Sequence, residues 1–190
     1  MRLLRPSART FAKGGVTPNH VTITAILLSS ILGSLVVVFP RARWPLLLIP
    51  GGLLLRMALN AIDGMLARDH GLKTPMGGIL NELGDVWSDA ILYLPFALLP
   101  GVPAHLLVPT VVLALISEMA GVVVMQIGGT RRYNGPMGKS DRAVVFGCLA
   151  LLLGLGVPAG SWIALLLLAT AGLLLITTAN RIRAGLREVP

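Results

Sequence analysis

Residues Leu59–Asp89 read LNAIDGMLARDHGLKTPMGGILNELGDVWSD. This stretch holds Asp63, Asp69, Glu82, Asp85 and Asp89, five of the eight acidic residues in the chain. Long apolar runs flank it on both sides, the setting in which ionised carboxylates are rarest. Acids so placed call for cationic partners, and that requirement shapes the reading of everything around them.

The flanks decide the fold class. Of 190 residues, 55% are hydrophobic and 13% charged, with a mean hydropathy of +0.82. A soluble domain of this size cannot hide so much apolar surface, so the expectation is an all-α polytopic membrane protein. About 20 apolar residues cross a hydrocarbon core roughly 30 Å thick. Six runs are offered as spans: Val21–Phe39, Pro45–Ile62, Ile79–Leu99, His105–Ile127, Ala143–Val157 and Ser161–Ala179. The chain then reads as one integral-membrane domain over 1–190, with a juxtamembrane segment at 1–20, a six-helix bundle at 21–180 and a basic tail at 181–190.

The net charge of +8 is spread between the spans rather than gathered on one face, which argues against nucleic acid as a partner. Arg2, Arg5, Arg9 and Lys13 precede the first span, Arg68 and Lys73 follow the second, and Arg131, Arg132, Lys139 and Arg142 follow the fourth. Arg181, Arg183 and Arg187 follow the last, while the alternate gaps hold only Arg41 and Arg43 or no basic residue. This asymmetry predicts an even span count with both termini in the cytoplasm. Cys148 is the single cysteine and lies in a span, so no disulfide forms within the chain. Residues 1–15 carry Leu3, Leu4 and Phe11 between the basic residues, a spacing for a short amphipathic helix on the membrane surface. A basic tail that only sets topology is the plainer alternative. Val21–Phe39 is too long for a signal-peptide core and is read as retained. Thr17-Pro18-Asn19 marks the start of its helix.

Helical periodicity then places the acids. At about 100° per residue, Asn81, Asp85, Asp89 and Glu82 share one arc of the third span. Asp63 closes the second span, with Asn60 one turn before it and Arg56 two turns before it on the same face. Four such acids, bare and ionised in lipid, would cost on the order of 10 kcal/mol. A divalent cation in a wet cavity removes that cost. Carboxylates with amide carbonyls suit Mg²⁺ or Mn²⁺, as one or two ions, and no His or Cys cluster invites zinc or copper. Arg56 either steadies the acids or snorkels to the interface. Gly64, Ala67, Gly77, Gly78 and Gly84 allow close helix packing or approach of a polar ligand to the backbone. Glu118 stands alone in the fourth span, as a functional group or as the acceptor for a base on a neighbouring helix. The loop Gly128–Arg142, GGTRRYNGPMGKSDR, has the composition of a phosphate cradle, although basic topology signals also account for Arg131 and Arg132.

Taken together, NAIDGMLAR (Asn60–Arg68), eight intervening residues and GGILNELGD (Gly77–Asp85) resemble the signature DxxDGxxAR–x8–GxxxDxxxD of the CDP-alcohol phosphatidyltransferases. Asp63, Gly64, Ala67, Arg68, Gly77 and Asp85 match, whereas Asn60 and Asn81 stand at the first and third acidic positions. The resemblance implies a phospholipid-synthesis transferase that moves a phosphatidyl group from CDP-diacylglycerol to an alcohol or phosphorylated-alcohol acceptor and releases CMP. It implies metal ligands among Asn60, Asp63, Asn81 and Asp85, with Glu82 and Asp89 as compensating acids. It further implies Asp85 as the base, Asp63, Gly64, Ala67, Arg68 and Gly77 about the donor nucleotide, and Lys139 and Arg142 about the acceptor. A bacterial-type inner membrane, an active site facing the cytoplasm, membrane lipids as surroundings and a homodimer complete its expectations. A soluble CDP-alcohol donor with diacylglycerol as acceptor is the reverse arrangement within the same chemistry. Two readings compete from other classes: a non-catalytic membrane protein that binds CDP-lipid or nucleotide at a degenerate metal site, and a cation transporter using the buried acids.

Overall fold

The computed structural model describes residues 5–69 and 71–189. Seven α-helices account for most of them: α1 (Arg5–Lys13), α2 (Pro18–Val38), α3 (Trp44–Asp69), α4 (Pro75–Tyr93), α5 (Ala104–Val123), α6 (Lys139–Gly154) and α7 (Ser161–Leu186). Short 3₁₀ segments, Leu94–Leu98 and Val124–Ile127, extend α4 and α5. The expected all-helical membrane fold is observed. α2, α3, α7 and α5 with its 3₁₀ extension are each long and apolar enough to cross a membrane. α6 has 16 residues, and α4 carries Glu82, Asp85 and Asp89, which keeps both out of that set. The amphipathic N-terminal helix is α1; Arg2, Leu3 and Leu4 lie outside the described residues.

Local signals start the helices where the sequence places them. Thr17 caps α2, its side chain accepting from the His20 amide while His20 Nδ1 accepts from the Thr17 amide, with Pro18 at the first turn. Thr74 caps α4 in the same way, accepting from the Gly77 amide at 3.0 Å ahead of Pro75. The spans lengthen at one end. α3 continues past Ile62 to Asp69, with Met65 and Leu66 buried and Asp63 bonded there, and α7 continues past Ala179 to Leu186, with Arg181 held by α5.

α2 packs on both α3 and α4, α3 packs on α6, α4 on α5, and α5 on α7. The core between them holds Ile49, Leu107, Leu149, Ile163 and Leu167 with Tyr93 stacked on Phe146 at 4.0 Å. Apolar side chains also cover the outside: Leu54 and Leu165 are 68% exposed and Ile31 60%, as befits a surface that faces lipid. Gly33 marks a close approach of α2 to α4, where an added Cβ would fall on the carbonyl of Ile91. Gly33→Ala is therefore expected to destabilise the protein by about 1–3 kcal/mol, read as a lower melting temperature in detergent.

Candidate active site

α3 and α4 stand face to face beneath α2, and their polar side chains cross the gap. The Asn81 amide donates to Asp63 Oδ2 at 3.1 Å, and the Thr22 hydroxyl donates to the same oxygen at 3.0 Å. In the opposite direction, Asn60 donates to Asp85 Oδ1 at 3.5 Å. Lys139, at the start of α6, also donates to Asp85 Oδ1, and Arg56 lies 3.5 Å from it. These bonds leave one oxygen on each group without a hydrogen bond among the described residues: Asp63 Oδ1, Asp85 Oδ2 and the amide oxygens of Asn60 and Asn81. All four side chains line one cavity of about 440 Å³.

This arrangement tests the metal expectation. Four free oxygens on four side chains, two of them carboxylate, suit one hard divalent cation such as Mg²⁺ or Mn²⁺. No three His, Cys, Asp or Glu side chains converge among the described residues, since Asn60 and Asn81 occupy two of the four positions. The expected compensation by Glu82 and Asp89 is corrected by the structure. Both carboxylate oxygens of Asp89 are taken, one by Arg56 at 2.6 Å and the other by Arg142 at 2.9 Å. Glu82 is held in a two-bond fork by Arg131. The shared helical arc is wide enough that its two edges face different neighbours.

A second cavity, of about 330 Å³, adjoins the first on the α2 side. Gly64, Ala67, Arg68 and Gly77 line it, together with Asn19 and Lys73, while Asp63, Gly64, Arg68 and Asn81 belong to both cavities. The glycine at 77 has a steric reason: a Cβ there would sit 2.7 Å from Asn19 Oδ1 and 2.9 Å from Thr74 Oγ1.

The two residues expected at the acceptor part company. Lys139 lines the larger cavity beside Ser140 and Tyr133. Arg142 does not: it is 1% exposed, and its guanidinium is committed to Asp89 and Glu118 at 2.8 and 3.0 Å. That expectation is also corrected. Glu118 proves to be a hub, accepting from Arg131 at 2.6 Å, Arg142 at 3.0 Å and Arg181 at 3.4 Å. Arg131, in the α5–α6 loop, has its pKa raised: burial opposes its charge, but the bonds and charges of Glu82 and Glu118 outweigh that. Arg181 additionally donates to the Ser117 carbonyl at 2.6 Å. In the sequence Arg131 reads either as part of a phosphate cradle or as a topology signal, and Arg181 as the start of a basic tail. The isolated Glu118 was the one sign that such partners existed.

The same loop is tied to the chain end. Glu188 accepts from the Thr130 amide at 2.7 Å and hydroxyl at 2.9 Å, and from Arg132. The Thr130 amide holds the Glu188 carboxyl below the ordinary carboxylate range; desolvation opposes it, and the Thr130 hydroxyl and Arg132 add to the lowering. Its contribution is therefore complete above the unfolded-state pKa and is lost as pH falls through the lower folded-state value. Protection of the Thr130 amide from hydrogen exchange, relative to a Glu188→Gln control, is expected to fall toward unity in that acidic window.

The sequence profile of the CDP-alcohol phosphatidyltransferases matches residues 15–179. The chain belongs to that family. Among curated proteins, the inner membrane protein YnbA of Escherichia coli (strain K12) is 44% identical over 186 residues, which covers 97% of this chain and 91% of that protein. A protein of Aquifex aeolicus (strain VF5) is 38% identical over 97 residues, 51% of this chain and 45% of the other. The phosphatidyltransferase fold is shared with phosphatidylinositol phosphate synthase of Mycobacterium tuberculosis. Its crystal structure with CDP-DAG bound superposes with a TM-score of 0.75 at 18% identity, over 97% of this chain and 94% of that one. Its complex with manganese and citrate gives 0.74 at 20% identity, over 96% and 88%.

Proposed function

We propose that this phosphatidyltransferase-family protein transfers a phosphatidyl group from CDP-diacylglycerol to an alcohol, releasing CMP, with a divalent cation at Asn60, Asp63, Asn81 and Asp85. The observation that carries the reading is the set of four uncommitted oxygens at signature spacing, lining a cavity continuous with Gly64 and Arg68. Bound there, the cation would neutralise the diphosphate and stabilise charge on the phosphoryl oxygens. Arg68 and Lys73 supply fixed positive charge on the donor side, and Gly64, Ala67 and Gly77 leave room for the nucleotide. The acceptor hydroxyl attacks the phosphorus that bears the diacylglycerol. A new O–P bond forms, the bridging P–O bond breaks, and CMP leaves with the bridging oxygen. Asp85 takes the acceptor proton through Oδ2; Lys139, Arg56 and Asn60 hold the other oxygen and so fix the orientation of the group.

This reading places the protein in a bacterial inner membrane, as the name of its E. coli relative suggests, as a single domain with both termini and the site on the cytoplasmic side. The six-span count needs α4 and α6 to cross with their charges paired inside the bundle. A homodimer remains the family expectation.

Release of CMP from CDP-diacylglycerol by purified protein, with Mg²⁺ or Mn²⁺ and with chelator, tests the function directly. Turnover that is unaffected by chelator would sink the metal assignment, and ion flux into liposomes without nucleotide would favour a transporter. Restoring both carboxylates, Asn60→Asp with Asn81→Asp, is expected to tighten Mn²⁺ binding at least about tenfold, measured by electron paramagnetic resonance.

A further inference from the structure

The larger cavity is the side from which an acceptor alcohol reaches Asp85, and its charges are already spoken for. Asp63, Glu82, Asp85, Glu118 and Asp141 contribute five carboxylates to its lining. Against them stand Arg68, Arg131, Lys139 and Arg181. On the acceptor side every cation is paired: Lys139 with Asp85, Arg131 with Glu82 and Glu118, and Arg181 with Glu118. The donor side differs, since Arg68 and Lys73 line the smaller cavity and make no ion pair among the described residues. Free positive charge is thus kept where the two cavities meet and on the donor side, at Arg68 and Lys73, and none is left on the acceptor side around Lys139, Arg131 and Arg181.

Resting on the transferase reading above, we infer that the acceptor is an uncharged alcohol, and that this site discriminates against phosphorylated or carboxylated ones. A phosphomonoester brings roughly −1.5 to −2 charges at neutral pH. To bind it, Lys139 would have to leave Asp85, or Arg131 would have to leave Glu118, which is only 4% exposed. Either exchange takes one cation from a carboxylate that then faces the incoming anion, so the gain of one ion pair is offset by the loss of another. Hydroxyl groups meet no such conflict. The hydroxyls of Ser140 and Tyr133 line the same cavity and can bond a polyol without disturbing any ion pair.

Two measurements on purified full-length protein test this. In calorimetric titration with inorganic phosphate and with glycerol 3-phosphate, the wild type is expected to show no saturable binding at millimolar concentration that Lys139→Met removes, any binding at Arg68 and Lys73 being common to both proteins. Glu118→Gln, which removes the carboxylate shared by Arg131, Arg142 and Arg181, is expected to acquire it. In the CMP-release assay, kcat/KM for glycerol or inositol is expected to exceed that for its phosphate ester by at least about tenfold. Saturable phosphate binding by the wild type that Lys139→Met abolishes would overturn the inference, as would equal or better turnover of the phosphate ester. If no acceptor turns over while the wild type still ignores phosphate, the exclusion of anions stands and the transferase reading falls.

Discussion

Asp85→Asn is expected to reduce metal-dependent CMP release by about 10²–10⁴-fold, the range for losing a positioned general base. The substitution keeps the size of the side chain and one carbonyl oxygen. It removes the charge that Lys139 and Arg56 neutralise and the basic oxygen that accepts no hydrogen bond among the described residues. Because Lys139, Arg56 and Asn60 all meet Oδ1, the native group is held in one orientation, and Asn in its place would turn its carbonyl toward those donors. The amide would then present N–H, a donor, where a base is needed. The measurement is initial-rate CMP release at saturating CDP-diacylglycerol, with Mn²⁺ binding followed in parallel. A variant that binds the donor and still turns over within about threefold of the wild type would remove Asp85 from the chemistry.

Arg142→Leu is expected to cost about 3–5 kcal/mol of stability, the penalty for stranding the partners of a buried cation. Arg142 is 1% exposed and joins Asp89 to Glu118, so its loss leaves Asp89 with Arg56 alone. Glu118 keeps Arg131 and Arg181, which makes Asp89 the more exposed to the change. The paired variant Arg142→Leu with Asp89→Asn is therefore expected to recover part of the loss, while Arg142→Leu with Glu118→Gln recovers less. Denaturant unfolding in detergent micelles provides the comparison. A loss of about 1 kcal/mol or less would mean that Arg142 sits in water rather than in the core.

The parts of this site visible in sequence were those set by local periodicity. Asn60, Asp63, Asn81 and Asp85 share a cavity because helical spacing puts each pair one turn apart, and Thr17 and Thr74 begin the helices that carry or cover them. Of the partners of Glu82, Asp89 and Glu118, only Arg56 was legible in the sequence, as a group that steadies the acids, and it pairs with Asp89. The others depend on which neighbour each edge of a helix meets, and long side chains such as Arg131 and Arg181 reach those neighbours from distant positions in the chain. Periodicity gave Glu82 and Asp89 the same face as Asp85 and could not tell that guanidinium groups would claim them. Arg142 was rightly noticed and wrongly used, since its position at a helix mouth does not reveal whether it opens to water. Thr22, which holds Asp63 from α2, carried no signal beyond its place in an apolar run.

The Glu118 hub also bears on how the chain enters the bilayer. Its carboxylate lies on α5, Arg142 on α6 and Arg181 on α7, so each of these buried charges finds its partner on another helix. Released singly into lipid, each charge would cost about 2.5–3.5 kcal/mol at mid-membrane depth. Released together, the charges meet as ion pairs before they meet hydrocarbon. The last three helices are thus expected to leave the insertion machinery as one unit, with truncations after α5 or α6 handed to quality-control proteases.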